Sequence, residues 1–310
     1  MTAQSTRPAT PRGGVRFNPF GADFRRDPYP IYERLREARP VHKTLGMWVL
    51  TRHRDVRGVL HDRTFSAGLI PQLVDRQAGR LPLDREQTAR VGRLGTKSLV
   101  FTDNPEHARL RGLVNRVFSG RAVARLRPRI AAIAEELIER AWAQGGMDVI
   151  GDLAAPLPER VMCDWMGLPP DLCAEVGGWT HDIRYLLEPG LMQEDDLTRV
   201  CAVVETFAQA LDEVIRARRN APGDDLISDL LAARTAGGDG LEAEELAFVC
   251  IMCFVAGNET TKSLIGNGVL ALFDHPAQAG RLRRSAQHAG QSETAKRAVD
   301  EALRYDCRSR

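Results

Sequence analysis

Charge imbalance is almost absent from this 310-residue chain. Its 43 Lys and Arg against 41 Asp and Glu leave a formal net charge of +2. Nothing in that balance asks for nucleic acid or an acidic surface as a partner. Aromatic residues are scarce, at 6%, which points to a core of Leu, Val, Ile and Ala. The six cysteines (Cys163, Cys173, Cys201, Cys250, Cys253 and Cys307) are scattered through mostly apolar, helix-like text. That excludes a disulfide framework and reads as free thiols in a cytoplasmic protein. Cys250 and Cys253 form a C-x-x-C, but no second pair and no nearby histidine completes a zinc site. The longest apolar run, Ala247 to Gly257, is too short to span a bilayer, so no membrane partner is expected. The first residues carry Arg7, Arg12 and Arg16 with no apolar stretch. Residues 1–18 therefore read as a disordered tail, not a signal peptide. No internal repeat is visible.

What is present is the mix of a soluble globular protein, 43% hydrophobic and 27% charged, on a chain long enough to bury a sizeable core. Residues 19–310 read as a single, mainly α domain with a small antiparallel β-sheet. Pro28 to Ala38 and Asp55 to His61 read as short helices, and Val41 to Thr51 as a hairpin around Leu45-Gly46. Gly68 to Gly95 is polar and aperiodic, the text of a long mobile segment. Ile130, Ile133, Ala134, Leu137, Ile138 and Ala141 recur at helical spacing. Further helices are expected over Leu157 to Met166, Leu197 to Arg219 and Asp225 to Arg234. The longest, Leu241 to Phe273, is apolar on every face in its middle, the mark of a helix at the centre of a large fold.

That central helix breaks its own rules at Ala256-Gly257-Asn258-Glu259-Thr260-Thr261. Glycine in a helix interior costs about 1 kcal/mol relative to alanine. A carboxylate and a hydroxyl in an apolar core helix cost more unless partnered. Gly257 leaves room for something flat against the helix, Thr260 can hydrogen-bond locally, and Glu259 could relay protons. The bland alternative is a helix boundary with Asn258 or Thr260 as a cap. A second constellation is Asp103-Asn104-Pro105-Glu106-His107 followed by Arg111. Asn104 reads as an N-cap and Pro105 as the first helical residue. His107 and Arg111, at i and i+4, then share a face suited to a carboxylate ligand, or simply form a solvated basic face. The third, Glu301 with Arg304, is in isolation a surface ion pair at i, i+3.

In this order and spacing, the three stretches resemble the cytochrome P450 family of the soluble bacterial kind. Ala256-Gly257-Asn258-Glu259-Thr260 matches its [AG]-G-x-[DE]-T signature, Glu301 and Arg304 its E-x-x-R, and the His107–Arg111 stretch its D-P-P-x-H-x-x-x-R helix with Asn104 replacing the first proline. The resemblance runs from about Pro19 to Asp306. It implies a haem-thiolate monooxygenase that inserts one atom of O2 into a small organic substrate, with haem b as cofactor and electrons from a ferredoxin-type donor. By position, it implies that Thr260 hydrogen-bonds the bound dioxygen and Glu259 feeds protons for O–O cleavage. Ala256 and Gly257 would lie over the haem, and His107 and Arg111 would bind its propionates. Met252 and Val255 would face substrate, with parts of 69–94 and 185–192 covering the pocket. Glu301 and Arg304 would play the structural E-x-x-R role.

The family's haem-ligand loop, F-x-x-G-x-x-x-C-x-G, does not occur in the sequence. Cys307 lacks its glycines and aromatic, so no metal ligand is assigned. The expectation is a chain truncated before that loop, with Glu301 and Arg304 short of a third partner and the hairpin edge exposed. Such a chain would fold poorly and bind haem weakly. A non-catalytic remnant or fragment acting as a helical binding protein is the alternative.

Overall fold

A computed structural model describes residues 16–44, 46–68, 96–187, 194–286 and 291–305, together with residues 72 and 92. The described residues fall into two compact units, one ending at Ser66 and the other beginning at Ala67.

The first unit holds α1 (Ala22–Arg26), α2 (Tyr29–Ala38), β1 (Val41–Thr44), β2 (Met47–Leu50) and α3 (His53–His61). Pro28 sits at the N-cap of α2, where its missing N–H costs nothing. The strands pair antiparallel, with Val41 opposite Leu50 and Thr44 opposite Met47. The connection uses Gly46 at φ 76°, a left-handed conformation that glycine adopts without a Cβ penalty. Lys43 lies over its cross-strand neighbour Trp48, 5.4 Å from the ring centroid. Phe17, Phe24 and Tyr32 form an aromatic trio, with Phe24 5.3 and 5.4 Å from the other two. Leu35 is the fully buried residue of α2.

The second unit is a helical assembly: α4 (Glu106–Val117), α5 (Gly120–Ala143), a π-helical turn (Val149–Ala154), α6 (Pro156–Met166), α7 (Pro170–Ile183), a 3₁₀ turn (Arg184–Leu187), α8 (Glu194–Asn220), α9 (Leu226–Ala232), α10 (Ala243–Asp274), α11 (Pro276–Ala286) and α12 (Gln291–Tyr305). The expected fold class, mainly α with a small antiparallel sheet, is therefore found. Helix α5 begins ten residues before the periodic stretch that announced it and runs through Pro128. Ser119 starts it by accepting the Ala122 N–H, which satisfies a donor that the first turn leaves orphaned. The expected cap at Asn104 is not found: Pro105 occupies the N-cap position, without a side-chain cap bond, and the Asn104–Pro105 peptide is cis. The turn is instead closed by the His107 N–H to the Asp103 carbonyl, 2.9 Å.

Helix α10 is the hub. It packs against α6, α7, α8, α9, α11, α12 and the π-turn. Its 32 residues span about 48 Å, and by length and composition it could cross a membrane. That is more than the short apolar run in its middle foretold. Leu246 to Ile251, Phe254, Val255 and Asn258 are buried within the unit, as a core helix requires. After Asn258 no residue of the helix is buried. The few aromatics concentrate here: Phe207 lies 5.6 Å from Phe254 and 5.2 Å from Trp179. Gly167, at φ 66°, terminates α6 in the left-handed conformation. A Cβ there would press on Asp225 and Arg218.

Candidate functional site

The start of α10 is tied to α4 by charge. Glu242 and Glu245 form a capping box, in which the Glu245 carboxylate accepts the Glu242 N–H at 2.8 Å. Glu245 is only 5% exposed, yet it is ionically paired to Arg109 of α4. Arg109 also donates to Glu106 at 2.7 Å and to the Gly240 carbonyl at 3.3 Å. Arg109 and Glu245 went unnoticed in the sequence, since they stand 136 positions apart. This clamp fixes α4, and with it His107 and Arg111. The His107 ring bonds the Leu99 carbonyl through Nδ1 at 3.0 Å. A carbonyl only accepts, so Nδ1 carries the hydrogen and Nε2 is left to face a ligand. Arg111 is exposed and makes no hydrogen bond or ion pair among the described residues.

About 22 Å along α10 from Glu245, by helical rise, lies the polar interruption. Ala256 and Thr260 are exposed, and Met252, one turn before Ala256, is half-buried. These three stack at i, i+4 and i+8 on one open face. The Thr260 hydroxyl donates back to the Ala256 carbonyl; the helix continues unbroken through it, so neither Asn258 nor Thr260 is a cap. Glu259 is bonded to Lys262 at 3.0 Å and stands 3.9 Å from His181 Nδ1 of α7. Asn258 is buried, donating to Thr180 at 3.4 Å while its Oδ1 finds no partner. The His181 and Lys262 contacts to Glu259 are additions that the sequence did not announce.

Two candidates sit elsewhere. Gly257 turns toward α6, where an added Cβ would meet Met162 Sδ at 3.3 Å; here the missing side chain lets two helices approach. Val255 is 2% exposed and belongs to the main apolar core, whereas Met252 is half-buried. On α12, Glu301 and Arg304 are both exposed and pair with each other in a bidentate bridge at 2.6 and 2.9 Å. No hydrogen bond or ion pair among the described residues joins α4's His107 and Arg111 to Ala256 or Thr260. Of the expected pocket covers, residues 69–71, 73–91, 93–94 and 188–192 lie outside the described residues, as does Cys307.

The five described cysteines carry no thiolate character. Burial pushes the Cys201 thiol up to about 11 and Cys253 up to about 12, and raises Cys163, Cys173 and Cys250 as well. A thiol in an apolar setting stays protonated and is a poor metal ligand. No cluster of three or more potential metal ligands occurs among the described residues.

Because Thr260 is exposed and bonded only to its own helix, Thr260→Ala is expected to change stability by no more than about 0.5 kcal/mol. A urea titration checks this. A stable variant separates the hydroxyl's chemistry from its packing.

No protein-family model matches the chain. Curated proteins and solved structures do. The chain is 32% identical over 301 residues to the vitamin D(3) 25-hydroxylase of Pseudonocardia autotrophica, covering 96% of this chain and 69% of that protein. It is 32% identical to the cytochrome P450 monooxygenase PikC of Streptomyces venezuelae, covering 93% of this chain and 64% of that one. The crystal structure of CalO2 superposes with a TM-score of 0.81 at 35% identity, covering 94% of this chain and 70% of CalO2. P450BioI, solved with a fatty-acyl-ligated acyl carrier protein, gives a TM-score of 0.79 at 27% identity, covering 92% of this chain and 70% of its own. The chain thus spans about two thirds of the length of the relatives it matches. A match of this identity and extent, on a chain whose helices carry the three signature stretches in order, establishes that the protein belongs to the cytochrome P450 family, whose members are haem-binding monooxygenases.

Proposed function

We propose that the chain binds haem b and serves the insertion of one oxygen atom of O2 into a small organic substrate, with electrons from a ferredoxin-type donor. The observation that carries this reading is an unpaired cation beside an oriented imidazole. Arg111 has no protein partner among the described residues, and His107 presents Nε2 from the same face of α4. With its ring doubly protonated, so that Nε2 as well as Nδ1 donates, His107 forms with Arg111 a donor pair that fits the carboxylates of a porphyrin. The open face of Met252, Ala256 and Thr260 fits the other requirement, a small side chain in mid-helix against which a flat ring can lie.

Haem, when bound, supplies an iron centre for activating O2. The chain's own residues then have distinct tasks. His107 and Arg111 anchor the carboxylates. Ala256 keeps the face of α10 flat. Thr260, whose hydroxyl is parked on the Ala256 carbonyl, would supply a hydroxyl that can donate or accept a hydrogen bond on that open face. Glu259, held by Lys262 and near His181, offers a carboxylate reached from solvent through which a proton can pass toward Thr260. Gly257 acts indirectly, by seating α10 on Met162, and Val255 through packing. Met252 borders the substrate side. The substrate segments, the electron donor and a cytoplasmic location belong to this proposal as well.

Burial keeps the thiols of the five described cysteines protonated, so none of them is suited to supply a thiolate to haem, and this favours a second reading: a haem-binding or purely helical interaction protein without oxygenase activity. One experiment divides the two. The full chain is loaded with haem, reduced and exposed to carbon monoxide. A thiolate-type Soret band supports catalysis; a band lacking thiolate character supports the binding protein; no haem uptake removes both haem readings.

A further inference from the structure

Away from the residues assigned to haem, the end of α8, the short helix α9 and the chain entering α10 border an open cavity of about 560 Å³. That is within the roughly 300–1,000 Å³ of small-molecule sites. Its wall carries Arg218, Arg219, Ser228, Arg234, Gly240 and Glu242. The charges do not cancel. Arg218 is paired with the buried carboxylate of Asp225, and Glu242 with Lys97. Arg219 has no partner among the described residues, and Arg234 donates only to the Leu231 and Ala233 carbonyls, at 2.6 and 2.7 Å. The cavity's lining therefore holds two guanidinium groups with no carboxylate partner among the described residues, beside the Lys97-paired carboxylate of Glu242.

The wall is also held in place. Arg218 donates to the Gly167 carbonyl at 2.8 Å. The Gly240 carbonyl is gripped by Arg109 from outside. The turn before it is closed by Thr235 and Asp239, with backbone and side-chain bonds of 2.7 and 3.0 Å. Ser228 accepts the Gly223 N–H at 2.9 Å, which leaves its own hydroxyl hydrogen to donate.

We propose that this cavity binds a small molecule carrying a phosphate group. Two uncompensated guanidinium groups match a dianion better than a single carboxylate, and their planar forks suit phosphate oxygens. Ser228 adds a neutral donor. The site is independent of the haem reading, and neither depends on the other.

Pyrophosphate is the probe, titrated into the full chain by calorimetry at constant ionic strength. Saturable binding is expected, weakened at least about tenfold in Arg219→Ala with Arg234→Ala, since each charge-assisted hydrogen bond lost counts for about a factor of ten or more. Arg216→Ala, an exposed position on the same helix outside the cavity wall, should bind as the unaltered chain does. The unaltered protein gives a second measurement: pyrophosphate should shield Arg219 and Arg234, but not Arg216, from phenylglyoxal, read by mass spectrometry. Equal affinity in the double variant, an equal heat from sodium chloride, or no selective shielding would overturn the proposal.

Discussion

Replacing His107 and Arg111 together by alanine is expected to weaken haem binding by the full chain about 100-fold. Each residue offers a polar contact to a carboxylate. A hydrogen bond with a charged partner contributes about 1.5–3 kcal/mol, and 1.4 kcal/mol is a factor of ten. Arg111 bonds nothing else among the described residues, so its loss removes ligand contact without unpairing a protein group. His107 surrenders one bond to the Leu99 carbonyl, a cost of about 1 kcal/mol that leaves α4 clamped by Arg109. Haemin titration followed by quenching of tryptophan fluorescence measures the effect. Unchanged affinity in a folded double variant would refute the assignment of these two residues to the propionates. Arg111→Lys should recover part of the loss, because it restores the charge but not the fork.

Arg109→Ala is expected to destabilise the second unit by about 3 kcal/mol. Removing one partner of a buried pair costs about 3–5 kcal/mol, because the remaining charge stays desolvated. The low end applies here. Glu245 keeps the Glu242 N–H and sits in the first turn of α10, where the helix dipole favours a negative charge. Urea unfolding of the variant reads the loss. Adding Glu245→Gln to Arg109→Ala should return part of it, since the amide retains an acceptor for Glu242 and carries no charge to strand. If the double variant is no more stable than Arg109→Ala alone, the buried charge is not the cause.

Most helices were legible because their evidence is local. Ile133, Leu137 and Ala141 announce α5 through spacing, and all three are buried. Gly237 to Gly240 marks the turn before α10 as plainly as any proline could. The start of α5 was not legible: the periodic stretch begins only at Ile130, whereas the Ser119 cap and packing against α6 and the π-turn start the helix earlier and carry it through Pro128. At the site, the oddity of Gly257, Glu259 and Thr260 within an apolar helix was visible in one dimension. Their neighbours were not. Lys262 lies one turn away, whereas Met162 and His181 approach from other helices, and no periodicity encodes a tertiary partner. Val255 shows the reverse failure. Its spacing from Met252 favoured a shared role, but the surrounding helices bury Val255 in the apolar core while Met252 stays half-buried.

Helix α10 also has unequal halves. Up to Asn258 it carries the buried side chains of the core; beyond it none is buried, although the π-turn's Ile150 lies against Gly266, and Phe273 near the end is 74% exposed. A backbone that is one continuous hydrogen-bonded rod is therefore two pieces energetically. Amide hydrogens from Leu246 to Asn258 exchange with solvent deuterium only when the unit opens as a whole, whereas those from Leu264 to Phe273 escape through local fraying. Thr260 lies at the seam between a clock that runs slowly and one that runs fast.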